Sequence, residues 1–124
     1  METKNARITS TMLGVEDFNV MSFSLNLDYG DGAHQNAGGY ALDTPIRKDG
    51  EFIRRVGTAE GLSLIMDILD LVEVGKWEDL KGKPIRVRCD HSHVTAIGHF
   101  LKDRWIVLDT YFTTIKTFTS LIKE

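Results

Sequence analysis

The chain has 124 residues, 15 Lys and Arg against 18 Asp and Glu, and a formal net charge of −3, which fits one ordinary small domain over 1–124 and leaves no room for a second. With 42% hydrophobic and 27% charged residues it reads as a globular protein, not as a disordered or low-complexity chain. No apolar run approaches the ~20 residues that span a bilayer, and the first residues lack a signal-peptide layout. No membrane partner is therefore expected, and a cytoplasmic location is. The one cysteine, Cys89, excludes an internal disulfide and a four-thiolate zinc site, so neither a metal nor another cofactor is expected.

Charge is unevenly distributed. Residues 1–43 carry −4, 44–57 carry +2, 58–75 carry −4, 76–105 carry +3 and 106–124 are neutral. Duplex-binding proteins present a dominant basic face, because counterion release from phosphates drives their affinity. This balance predicts no duplex nucleic acid as a partner. The two local basic stretches read either as solvated surface or as cradles for a few phosphates.

In chain order, Ala6 to Val15 is β-prone and ends at Gly14 and an acidic turn, Glu16-Asp17. From Asn19 to Tyr29 the alternation is clean, with Met21, Phe23, Leu25, Leu27 and Tyr29 on one face of a half-buried strand. A polar, glycine-rich connection over 30–39 leads to a third strand at Tyr40-Ala41-Leu42, closing an antiparallel meander. Residues 44–57 show neither period clearly and predict a long ordered loop with short strand character, a kind of segment that often carries function.

From Thr58 to Gly75 the pattern is helical. Leu62, Ile65, Met66, Leu69 and Val72 form one face, Leu64, Ile68 and Leu71 widen it, Thr58 caps the start and Gly75 stops the end. The apolar arc exceeds what one sheet face needs, so coverage by a C-terminal element, or a homo-oligomer formed through helix 58–75, is expected. Trp77 to Leu80 reads as a single turn that folds Trp77 back on the core. Strands follow at 85–89, 94–101 and 105–108. Residues 110–124 form a C-terminal docking element. There Phe112, Ile115, Phe118 and Leu121 or Ile122 suit a short helix, while five Thr in the first ten residues also allow a strand. The expected fold is α+β: an antiparallel sheet of about five to six strands in the order β-β-β-α-β-β-β/α, with one main helix packed on one face.

Few constellations point to chemistry. Cys89, His91 and His93 share a face if the chain there is extended, and lose that geometry if His91-Ser92-His93 is a turn. No glycine-rich strand-to-helix turn with a Lys-Ser/Thr pair is present, which excludes a Walker or dinucleotide site. Gly38 and Gly39 either supply left-handed backbone or offer amides to a ligand, with Tyr40 stacking on a base. Arg47, Lys48, Arg54 and Arg55 are the phosphate partners by charge and position, and His91 and His93 border the same expected cleft, between the 30–55 connection and the 91–93 turn. Acids at Asp28, Asp31, Asp43 and Asp90 have no diagnostic catalytic spacing, so the reading is non-enzymatic.

The runs Asn5 to Asp17, Gly38-Gly39-Tyr40-Ala41-Leu42-Asp43, Trp77-Glu78-Asp79-Leu80-Lys81-Gly82-Lys83-Pro84 and Gly98 to Asp103 resemble small accessory proteins encoded in tailed phages and prophages. The resemblance covers residues 5–105, and the Thr-rich end departs from it. That family supplies no assigned activity, so no site residue is carried over. What it implies is context: an antagonist of host defence acting in a bacterial cell. Combined with the segment 38–55, it leads to the expectation of a protein that binds and sequesters a small nucleotide-type immune signal. The alternatives are a protein-protein inhibitor whose Asp67, Asp70 and Glu73 mimic nucleic-acid charge, and a minor nucleotide-processing enzyme.

Overall fold

The computed structural model describes residues 1–16 and 18–123. Asp17 of the expected acidic turn, the side chain of Ile122 and the final Glu124 lie outside that description. The fold is α+β, with a six-stranded antiparallel sheet in the order β3 (His34–Gly38), β2 (Met21–Asp28), β1 (Glu2–Val15), β6 (Pro84–Cys89), β7 (Val94–Gly98), β8 (Trp105–Val107) and a separate two-stranded sheet of β4 (Asp43–Lys48) and β5 (Glu51–Gly57).

Strand β1 (Glu2–Val15) organises the molecule. Its second half pairs with β2 (Met21–Asp28) and its first half with β6 (Pro84–Cys89), so one long strand joins the two halves of the sheet. β2 follows its alternation, burying Phe23, Leu25 and Leu27. The third strand differs from the expected Tyr40-Ala41-Leu42. β3 is His34–Gly38, because Asp28 and Asp31 close the connection early. Their carboxylates accept hydrogen bonds from Gly30 N and Ala33 N (2.8 and 3.0 Å), and the chain turns back before it reaches Tyr40.

Residues 44–57, expected as a loop, form a hairpin of β4 (Asp43–Lys48) and β5 (Glu51–Gly57). Asp49 and Gly50 both adopt positive φ (52° and 81°), as the tightest hairpin turns require. The hairpin joins neither edge of the large sheet.

Helix α1 (Ala59–Val72) is capped as expected by Thr58, whose Oγ1 accepts from Gly61 N at 2.9 Å. It ends earlier than Gly75, at Glu73 in the left-handed region. The inward line is Gly61, Leu64, Ile68 and Leu71; Ile65, Leu69 and Val72 flank it, while Leu62 and Met66 point outward instead of joining the core. A short 3₁₀ helix, Trp77–Leu80, sets Trp77 edge-on to Phe23 with ring centroids 6.1 Å apart.

Strand β7 (Val94–Gly98) is buried on both faces. Its inner side meets the core through Ile97. On the outer side Trp105 of β8 (Trp105–Val107) lies over Gly98 and under the guanidinium groups of Arg86 and Arg88, 4.9 and 4.1 Å from its ring. The C-terminal element is helical: α2 (Tyr111–Lys123) docks through Tyr111, Phe112 and Ile115, leaving Phe118 and Leu121 exposed. Among the described residues no helix is long and apolar enough to cross a membrane.

Candidate functional site

The turn after β6 is built on one carboxylate. Asp90 Oδ1 accepts from Ser92 N (2.8 Å), Ser92 Oγ (2.7 Å) and His93 N (3.0 Å). These donors, the Ser92 hydroxyl foremost, hold the Asp90 carboxyl down at about 2. His91 and His93 therefore sit in a turn, not on a strand with Cys89, and among the described residues no cluster of His, Cys, Asp or Glu has metal-site geometry.

From this turn a chain of polar side chains runs both ways along the end of the sheet. His93 Nε2 lies 3.4 Å from Asp109 Oδ2, and Tyr40 donates to Asp109 Oδ1 at 2.7 Å. In the other direction Gln35 Nε2 donates to the Asp90 carbonyl at 2.8 Å, and the Tyr29 hydroxyl donates to Gln35 Oε1. Ser92, His93 and Asp109 are the residue types of a nucleophilic triad. Ser92 Oγ nevertheless directs its hydrogen at Asp90, 2.7 Å away, and His93 meets it only through Nδ1 at 3.1 Å, as a turn neighbour.

Beside this chain a cleft of about 350 Å³ opens between residues 33–35 and 89–91. Lys4, Tyr29, His34, Gln35 and His91 line it together with the acids Glu2 and Asp90 and the buried Cys89. Lys4 Nζ stands 4.8 Å from the Tyr29 ring centroid and 3.8 Å from Glu2. Burial, reinforced by Cys89, pushes the Tyr29 hydroxyl well above its usual range, so it stays protonated as a donor. Lys4 reaches the cleft only because β1 extends to Glu2 and pairs with Cys89 there.

The expected site residues do not come together in one place. His91 lines the cleft. His93 and Tyr40 meet at Asp109, but the Tyr40 ring is already stacked on Phe23, centroids 6.5 Å apart and 22° from parallel. Gly38 is fixed by packing, since a Cβ on it would lie 2.3 Å from Phe23 O; Gly39, exposed and at φ 85°, donates its N–H to the same oxygen at 2.8 Å. Arg55 is bound to Asp43 through two hydrogen bonds of 2.9 and 3.0 Å, and Asp43 also accepts from Met21 N at 3.1 Å. The guanidinium holds the Asp43 carboxyl below its usual range against the opposing effect of burial. Arg55 is thus a clamp between the hairpin and β2. Arg47, Lys48 and Arg54 are exposed on the hairpin and line no part of the cleft.

A larger cavity, about 500 Å³, lies elsewhere, between α1, β8 and α2. Leu71, Ile106, Tyr111, Ile115 and Phe118 make it apolar, and Asp67 and Asp70 stand at its rim. Tyr111 donates to Asp67 and Arg104 to Asp70, each at 2.6 Å. Both acids are thus already partnered within the chain.

The comparisons with protein-family models, curated proteins and solved structures found no match to this chain.

Proposed function

We propose that the protein binds and sequesters a small nucleotide-type ligand, without turnover, in the cleft between residues 33–35 and 89–91. The observation that carries this reading is the lining of that cleft: Tyr29 with Lys4 over its ring, and His34 and His91 beside them, bordered by the acids Glu2 and Asp90. Stacking on a ring together with charge-assisted bonds to phosphate is how nucleotides are held without being hydrolysed. A volume of about 350 Å³ falls within the range of small-molecule sites. The phosphate partners are then Lys4, His34 and His91, not Arg47, Lys48, Arg54 and Arg55. A host signalling nucleotide as the ligand and a bacterial cytoplasm as the place of action are part of the same proposal, and follow only from the resemblance of residues 5–105 to phage accessory proteins. The rival reading, charge mimicry by α1, draws less support, because Arg104 partners Asp70 and Lys102 partners Glu73 within the same chain.

The test is isothermal calorimetry with a panel of cyclic and linear nucleotides on the native chain and on the double variant Lys4→Ala, His91→Ala. Both positions are at the cleft rim, so the variant keeps the wild-type melting temperature while its affinity falls at least tenfold, about 1.4 kcal/mol. An affinity that is unchanged in the folded variant sinks the assignment.

A further inference from the structure

We infer that the turn between β7 and β8, residues 99–104, is a pH-sensitive latch held shut by the neutral ring of His99. The inference is independent of the ligand in the cleft and rests on the hydrogen bonds that this ring makes.

The His99 side chain is only 13% exposed, and its two nitrogens meet opposite demands. The backbone N–H groups of Leu101 and Lys102 both point at Nδ1, at 3.0 and 2.9 Å, so Nδ1 is an acceptor and carries no proton. Nε2 lies 2.5 Å from Glu73 Oε1 at the end of α1, and a carboxylate can only accept, so Nε2 carries the proton. That carboxylate is a lasting partner. Lys102, with Nζ 2.9 Å away, and next His99 itself hold the Glu73 carboxyl below its usual range. The ring is thereby fixed as the neutral tautomer with its proton on Nε2.

The turn at the other end of β7 is closed by the same pattern. Asp90 Oδ1 accepts from the amides two and three residues on, Ser92 and His93, as His99 Nδ1 does from Leu101 and Lys102. The two acceptors differ in kind. A carboxyl held at about 2 keeps its lone pairs at any pH near neutrality, whereas an imidazole nitrogen that takes up a proton changes from acceptor to donor. Protonated His99 would aim Nδ1–H at two N–H groups while keeping its bond to Glu73. The turn lets go and the end of α1 does not.

The remaining charges around the ring belong to three elements. From β6, Arg86 Nε donates to His99 O at 2.8 Å and Nη2 to Lys102 O at 2.7 Å. Within the turn, Arg104 is paired with Asp70 of α1, and Asp103 is exposed. Lys102 and Arg86 oppose a positive ring and Glu73 favours one. Opening the turn also takes the Lys102 carbonyl from Arg86, and so loosens the guanidinium that lies over Trp105.

Nuclear magnetic resonance of the full chain, without added ligand, tests the inference. At neutral pH, long-range proton–nitrogen spectra are expected to show Nδ1 bare and Nε2 protonated. On acidification, the hydrogen-exchange protection of the Leu101 and Lys102 amides is expected to fall at least about tenfold, with the midpoint of the ring's own titration. His99→Asn offers Oδ1 to the same two amides and does not titrate, so their protection in that variant is expected to be independent of pH. A ring protonated on Nδ1 at neutral pH, a ring that takes up no proton before the chain unfolds, or a protonated ring with both amides still protected overturns it. These three outcomes are read on the wild type and do not depend on the folding of the variant. An equal loss in folded His99→Asn overturns it too. Because no ligand is present, every outcome leaves the cleft assignment untouched.

Discussion

Phe23→Ala is expected to destabilise the protein by about 3–5 kcal/mol, the usual loss when a large aromatic side chain is removed from a core. Phe23 is fully buried on β2, and two other aromatic rings depend on it: Tyr40 stacks on its face and Trp77 meets it edge-on. Leu25 and Leu27 are fixed along the same strand face and cannot move sideways to fill the space. The loss propagates toward the polar chain, since Tyr40 orients Asp109 and Asp109 faces His93. Urea denaturation measures the effect as a lower midpoint at unchanged slope. A loss below about 1 kcal/mol contradicts the placement of Phe23 at the centre of the core.

Gly38→Ala is expected to be as severe, on the order of 4 kcal/mol, for a different reason. At φ 131° the backbone of Gly38 is in a region that L side chains rarely adopt, and the added Cβ would meet Phe23 O at 2.3 Å and Ser24 Cα at 2.9 Å. Both neighbours are backbone of β2, locked by pairing with β1, so neither can yield. The expected readout is a fall in melting temperature of more than about 10 °C. Gly75→Ala, where the added carbon meets open space and φ is ordinary, is the control and stays near the wild type. A Gly38→Ala protein with normal stability and lost nucleotide binding would instead restore the reading of Gly38 as a ligand-binding amide.

The parts of the fold legible in the sequence are those fixed by local pattern. The alternation of Met21 to Tyr29 shows both the strand and its buried face, and Thr58 marks the start of α1 to the residue. Register and facing are less legible, because they depend on partners far along the chain. Nothing near Tyr40 signals that Asp28 and Asp31 close the preceding turn early, and that closure moves β3 back to His34–Gly38. The hairpin carried its signal in Asp49-Gly50, but Pro45 and the adjacent charged pairs Arg47-Lys48 and Arg54-Arg55 hide the alternation around it. On α1 two apolar arcs compete; Gly61 closes on Leu42 and Leu64, Ile68 and Leu71 follow it into the core, so Leu62 and Met66 face outward.

The candidate site was legible only in part, for the same reason. Of the expected site residues only His91 lines the cleft, and most of the lining is assembled by strand pairing. Lys4 arrives through the pairing of Glu2 with Cys89, and Tyr29, His34 and Gln35 through the β2-β3 turn. Arg55 looked like a phosphate ligand because its charge is visible in sequence while its partner Asp43, twelve residues earlier, is not visibly paired. Asp109, which joins Tyr40 to His93, had no sequence signal at all.

The most direct test of the central claim is to purify the protein natively, denature it, and identify by mass spectrometry what is released. The cleft assignment predicts an intact nucleotide-type molecule from the wild type, which also raises the melting temperature when added back, and none from Lys4→Ala, His91→Ala. An equal yield from that folded variant, or no release together with no nucleotide that stabilises the native chain, would contradict it.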